Sequence, residues 1–196
     1  MLFRSHVLEL IGVTQLLASH AAMIAKHHFG CRRPDTLDPT LMPMIPTPGH
    51  ASLPSGHATE NFAIATVLCA LVRAAGGWFP DPDRVCALLM RQAERIAVNR
   101  TVAGVHFPVD SWAGATLGEA VAQVVLARCK GAGAVTAWDF DVAKITPTGA
   151  TSVDFNLAAL NGFWTAEGAR LGAPTTLTTP GSPLAWLWGK ALSELP

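Results

Sequence analysis

The chain has 196 residues, half of them apolar and only 14% charged, and its 14 basic and 14 acidic side chains give a formal net charge of zero. That length suffices for one domain with a substantial core, and the balanced charge argues against a nucleic-acid binder, which needs a basic face. Any anion site must therefore be local, made by a few converging cations.

Residues 5 to 28 read as a first helix, because Val7, Leu10, Ile11, Leu17, Ala18, Ala21, Ile24 and Ala25 recur near a period of 3.6. Gly30 and Pro34 end it. Glu9, Gln15 and His20 interrupt its apolar run, so it reads as a buried helix and not as a membrane span or signal peptide. The apolar stretch from Phe62 to Val72 is too short for a bilayer. No membrane segment is expected, and a cytoplasmic location is the default.

Residues 31 to 54 form a loop punctuated by Pro34, Pro39, Pro43, Pro46, Pro48 and Pro54. A loop of that length inside a compact domain is usually functional. A second helix starts near Ser55 and runs to about Ala75, where Gly76-Gly77 closes it. Asp81-Pro82 opens a third, with Val85, Leu88, Leu89, Ala93, Ile96 and Ala97 as its apolar stripe, and Gly104 breaks it. Pro108 suits the first turn of a fourth helix that runs to about Cys129. The pattern predicts an all-α fold, a helical bundle over residues 1–130 that carries the chemistry.

From Gly131 the composition shifts to Gly, Ala, Thr and Pro with weak periodicity, followed by a short apolar helix from Pro183 to Leu192. Trp138, Trp164, Trp186 and Trp188 make this stretch too aromatic for a disordered tail. Residues 131–196 therefore read as an irregular extension that wraps the bundle or a neighbouring subunit. Cys31, Cys69, Cys86 and Cys129 match no zinc spacing and read as buried free thiols.

Three short segments carry chemistry. Lys26 is followed by six residues and Arg33-Pro34; Pro54-Ser55-Gly56-His57 comes next; Arg100 is followed by five residues, His106, three residues and Asp110. Together they supply the parts for holding a tetrahedral oxyanion. Arg33 and Arg100 offer planar forks that bond two oxygens at once, and Lys26 adds a point charge. Ser55 and Gly56 stand where a loop enters a helix, so backbone N–H groups and the helix dipole attract an anion there. Asp110, one helical turn beyond His106, is placed to hold its Nδ1 proton and leave Nε2 as nucleophile or ligand. His57 is then the general acid–base.

These segments resemble, in order and spacing, the signature of the superfamily that unites PAP2-type acid phosphatases with vanadium-dependent haloperoxidases. The resemblance covers residues 26 to 110, with Asn99 standing where the family commonly has serine before the arginine. It implies a PAP2-type helical bundle in which Lys26, Arg33, Ser55, Gly56 and Arg100 bind the oxyanion. It implies that His106 binds vanadium or becomes the phosphohistidine, and that His57 is the acid–base. His50 precedes His57 by seven residues, a place where the bromoperoxidase branch has a second histidine, and the stretch from His50 to Leu71 is similar to that branch.

The implied activity is oxidation of bromide or iodide by hydrogen peroxide with vanadate as cofactor, Lys26 polarising the peroxide and His50 tuning it. The alternative is hydrolysis of phosphomonoesters, with phosphate in the same pocket. Haloperoxidases of this family are usually much longer, which keeps open a catalytically incomplete phosphate-binding or assembly module. A homo-oligomer that completes the site is expected.

Overall fold

The computed structural model describes residues 5–145, 154–166 and 169–195. Its elements in chain order are α1 (Ser5–Phe29), α2 (Pro34–Leu37), α3 (Gly56–Ala74), α4 (Pro82–Val102), α5 (Pro108–Lys130), β1 (Ala132–Val135), α6 (Val142–Ile145), α7 (Leu157–Thr165), β2 (Thr175–Thr178) and α8 (Pro183–Ser193). Helix dominates, and the sheet among the described residues has two strands. The fold is all-α, of the helical-bundle kind that the periodicity predicts.

Local sequence explains most of the helix ends. Ser55 caps α3 by accepting from Ala58 N at 3.4 Å, and Asp81 caps α4 by accepting from Arg84 N at 2.9 Å ahead of Pro82. Gly131, at φ +80°, ends α5 in the left-handed conformation that favours glycine. The start of α1 is satisfied from far along the chain. Glu194 accepts from His6 N at 3.0 Å and Val7 N at 3.1 Å, filling two donors that a helix start leaves open.

Helix α3 is the centre, packed against α1, α4 and α5. One core joins Leu10 and Ala18 of α1, Val67 and Leu71 of α3 and Val125 of α5 to Leu187, Trp188 and Ala191 of α8. A second joins Ala58 and Phe62 of α3, Ala93 and Ala97 of α4 and Trp112 of α5 to Phe155, Leu160 and Phe163. There Phe155 meets both Phe62 and Trp112 edge-on, at ring separations of 5.8 and 5.7 Å.

The closest approach is α3 against α5. A side-chain carbon at Gly114 would stand 2.6 Å from Ser55 O and 2.8 Å from Ala58 Cβ; one at Gly118 would stand 2.5 Å from Thr59 O. Spaced one turn apart, these glycines let the α5 backbone lie on the first turns of α3.

Four sequence expectations need correction. The extension is less irregular than its composition indicates: β1 pairs antiparallel with β2, from Ala132 opposite Thr178 to Val135 opposite Thr175, and α6 and α7 stand between them. The strand partners lie some forty residues apart, and Ala-Gly-Ala-Val lacks the alternation that marks a strand locally. Residues 146–153, 167, 168 and 196 of that extension lie outside the described residues. Second, α1 is not buried all round: Leu8, Leu16, Ile24 and Phe29 are exposed, and the segment Ser5–Leu37 is long and apolar enough by length and composition to cross a membrane. Third, the proline-rich loop contains the short helix α2, with Pro34 in its first turn. Fourth, Cys31 is only half-buried, whereas Cys69, Cys86 and Cys129 are buried free thiols.

The α3–α5 contact generates a prediction opposite in sign to the usual helix rule. Glycine to alanine within a helix ordinarily stabilises by about 0.5–1 kcal/mol. For Gly114→Ala the clash with Ser55 O outweighs that gain, and a net loss of about 1–3 kcal/mol is expected from overpacking. Urea unfolding reads it directly; an unchanged or raised midpoint would show that the two helices are free to separate.

Candidate active site

The helices alternate in direction, so the C-terminal ends of α1 and α4 meet the N-terminal ends of α3 and α5. Lys26 comes from the last turn of α1, Arg100 from the last turn of α4, Gly56 and His57 from the first turn of α3, and His106 from just before α5. The loop after α1 adds Arg33, the N-cap residue of α2, and His50. Together these seven residues line a cavity of about 110 Å³, with Glu60 also in its wall.

Asp110 organises the back of the site. Its Oδ2 accepts from His106 Nδ1 at 2.8 Å, from Phe107 N at 3.0 Å and from the hydroxyl of Ser52, and its backbone O accepts from Ser55 N at 2.8 Å. All of Ser52, Ser55, His106 and Asp110 are buried. A carboxylate accepts only, so Nδ1 of His106 carries the proton and Nε2 keeps its lone pair. That Nε2 faces Arg33 Nη1 at 3.3 Å.

The cations are fixed from behind. Lys26 Nζ donates to Ala51 O and Ser52 O, both at 2.8 Å. Arg33 donates from Nε to His50 O at 2.9 Å and from Nη1 to Val105 O at 2.6 Å, and its Nη2 lies 3.2 Å from His50 Nδ1. Arg100 is different: its Nε is buried and has no hydrogen-bond partner among the described residues. A buried donor left unpaired costs about 1–3 kcal/mol, more when charged.

Burial and mutual repulsion shape the titration. Burial foremost, then Arg33, pushes the Lys26 ammonium down to about 8, against the pull of Asp110. Burial lowers Arg33 and Arg100 from their ordinary values. His106 is lowered by burial, which outweighs its bond to Asp110. His57 is lowered by burial and by Arg100, although its ring keeps an open side at the cavity mouth. His50 is lowered by burial, with Lys26 and Arg33 adding to it.

Three cations, one of them with an orphaned guanidinium N–H, give this cavity an excess of charged donors over its one carboxylate, Glu60. A tetrahedral oxyanion, vanadate or phosphate, fits it in charge and in hydrogen-bonding sense. Lys26, Arg33, Arg100 and the Gly56 end of α3 would hold its oxygens, and His106 Nε2 would face its central atom. No cluster of three or more His, Cys, Asp or Glu suited to a bare metal ion occurs among the described residues.

Not every sequence-selected residue reaches the wall. Ser55 is fully buried beneath it, its hydroxyl spent on capping α3. Asp110 acts from behind His106, and Asn99 is exposed and outside the cavity. Ser52 and Glu60 escaped the sequence reading. Serine two residues after His50 carries no local signal, since only the fold delivers it to Asp110 from 58 positions away. Glu60 sits one turn beyond Gly56 on the cavity side of α3, a spacing that was open to inspection.

This fold and site define a class of oxyanion-handling helical enzymes, and the family comparison agrees: the PAP2 superfamily model matches residues 7–131, and the chain belongs to that superfamily. A vanadium-dependent bromoperoxidase of Ascophyllum nodosum is 36% identical over 94 residues, a match covering 38% of this chain and 17% of the relative's length.

The geometry yields a paired expectation. Vanadate or phosphate at one hundred times its Kd should stabilise the fold by about 2.7 kcal/mol, roughly 5–10 °C in Tm for a chain this long. That shift should shrink as pH rises past about 8, where Lys26 sheds its proton. The unliganded fold should move the other way and gain stability above that pH, because the unfolded chain still holds the proton that buried Lys26 has lost. Thermal melts across pH, with Arg100→Ala as the variant expected to lose the anion effect, check both directions; parallel pH trends would contradict this account of Lys26.

Proposed function

We propose that the chain is a vanadium-dependent haloperoxidase-like enzyme that oxidises bromide or iodide with hydrogen peroxide. The observation that carries this reading is His50 in the cavity wall, 3.2 Å from Arg33, in addition to the histidine pair His57 and His106. Similarity to the Ascophyllum nodosum bromoperoxidase supports it.

Bound vanadate supplies a Lewis acid that activates peroxide without changing its own oxidation state. The protein's part is electrostatic and protonic. Lys26, Arg33 and Arg100 balance the anion's charge, Gly56 brings α3 N–H groups near it, and Asp110 keeps His106 Nε2 free of a proton. His57, held neutral by its lowered pKa and open to solvent, takes a proton from incoming peroxide and passes it outward. Lys26 lies in the same wall to polarise the peroxide, and His50 to tune it. The reading includes a homo-oligomer, supported by exposed Leu8, Leu16 and Ile24 on α1.

The phosphatase reading uses the same atoms, and the match to the PAP2 superfamily supports it equally. His106 Nε2 would attack phosphorus and form a P–N bond as the P–O bond to the alcohol breaks, with His57 protonating the leaving oxygen. Water activated by His57 would then release phosphate.

The two readings need opposite protonation states of His57. Halide oxidation should rise as pH climbs through the lowered His57 value, whereas phosphomonoester hydrolysis should fall over the same range. The deciding assay pairs vanadate-loaded enzyme, tested for bromide and iodide oxidation, with vanadate-free enzyme, tested for hydrolysis, and uses His106→Ala as control. Vanadate-dependent oxidation lost in the variant is the expected result. Hydrolysis inhibited by vanadate, without oxidation, moves the chain to the phosphatases. Neither activity points to a phosphate-binding or assembly module.

A further inference from the structure

The wall of an anion cavity is an unfavourable place for a carboxylate, yet Glu60 stands in it. It lies four residues after Gly56 and three after His57, so α3 stacks it beside both. Gln15 Nε2 of α1 holds its Oε2 at 3.1 Å. Its Oε1 lies 3.9 Å from where a Gly56 side-chain carbon would stand, the same distance from that point as Lys26 Cε. No lysine or arginine forms an ion pair with Glu60 among the described residues. A neutral amide therefore places its charge, which acts on His57 and on whatever occupies the cavity.

The groups facing the cavity can be counted by sign. Lys26 of α1, Arg33 of the loop and Arg100 of α4 are positive. His50, His57 and His106 are all held below their ordinary values and are neutral near pH 7. Glu60 is negative in the wall and Asp110 negative directly behind His106. Asp35 acts on Arg33 from outside the wall as well, so the acids around the site offset its three cations, and Glu60 is the acid among the lining residues themselves.

We propose that Glu60 tunes the ligand charge that the pocket accepts, favouring a tetrahedral monoanion over a dianion of the same shape. This rests on the oxyanion-pocket reading above and specifies which charge state that pocket accepts. Glu60 would be a specificity residue: it repels the ligand in proportion to ligand charge and makes no bond to it. Coulomb energy is linear in charge, so neutralising Glu60 should multiply dianion affinity by about the square of the factor gained by a monoanion.

Perchlorate and sulfate make the comparison, being tetrahedral ions whose charges do not change near neutral pH. Both are titrated calorimetrically at low ionic strength into the wild-type chain and into E60Q, E60S and E60D. If E60Q tightens perchlorate on the order of threefold, sulfate should tighten about ninefold. E60S should reproduce this preference, and E60D, which keeps the charge, should retain the wild-type ratio. Equal changes for the two ions, or none, would overturn the role of Glu60 while leaving the pocket intact. Failure of the wild type to bind either ion would overturn the pocket reading and this inference together.

Discussion

The Asp110 carboxylate is the interaction on which the site depends. A single buried oxygen collects the His106 ring, the Ser52 hydroxyl and the Phe107 N–H, and the same residue's carbonyl holds Ser55 N–H. Burying a carboxylate is costly unless it is hydrogen-bonded, and three donors on Oδ2 offset that cost. The result ties three segments distant in sequence, the loop, the start of α3 and the start of α5, to one point. It also sets the His106 tautomer, which no local feature of the histidine decides.

The Asp110 junction requires that α3 and α5 nearly touch. Gly114 and Gly118 supply the space, and the aromatic cluster of Phe62, Trp112, Phe155 and Phe163 closes the other side. The C-terminal extension thus braces the bundle from outside: Phe155 rests on the helices that carry His57 and Asp110, and Glu194 holds the far end of the helix that carries Lys26. Parts of the chain without a motif keep the motif in shape.

The cavity is costly in the absence of a ligand. Lys26 is driven towards its neutral form, Arg100 keeps an N–H with no partner among the described residues, and three histidines are pushed towards their neutral forms among cations. Such an arrangement would gain more from a bound anion than a flexible surface patch would. Asp110 and Glu60 moderate it from two sides, one through His106 and one at the mouth.

Much of this was legible in the residues themselves. The 3.6 period marked the helices, Ser55, Pro82 and Pro108 marked their starts, and the spacing of Lys26, Arg33, His57, Arg100, His106 and Asp110 singled out residues that the fold gathers at one cavity. Those signals are local, or depend on types of side chain that have few other reasons to occur together. The remainder is non-local. The β1–β2 pairing, the exposed face of α1, the burial of Ser55 away from the wall and the reach of Ser52 to Asp110 all follow from how helices pack. The sequence by itself determined the helices and the residue types of the motif; only the tertiary structure decided which groups face the cavity and which stand behind them. The reason is physical: a side chain's type is set by its residue, but its orientation and its partners are set by elements that meet only when the chain has folded.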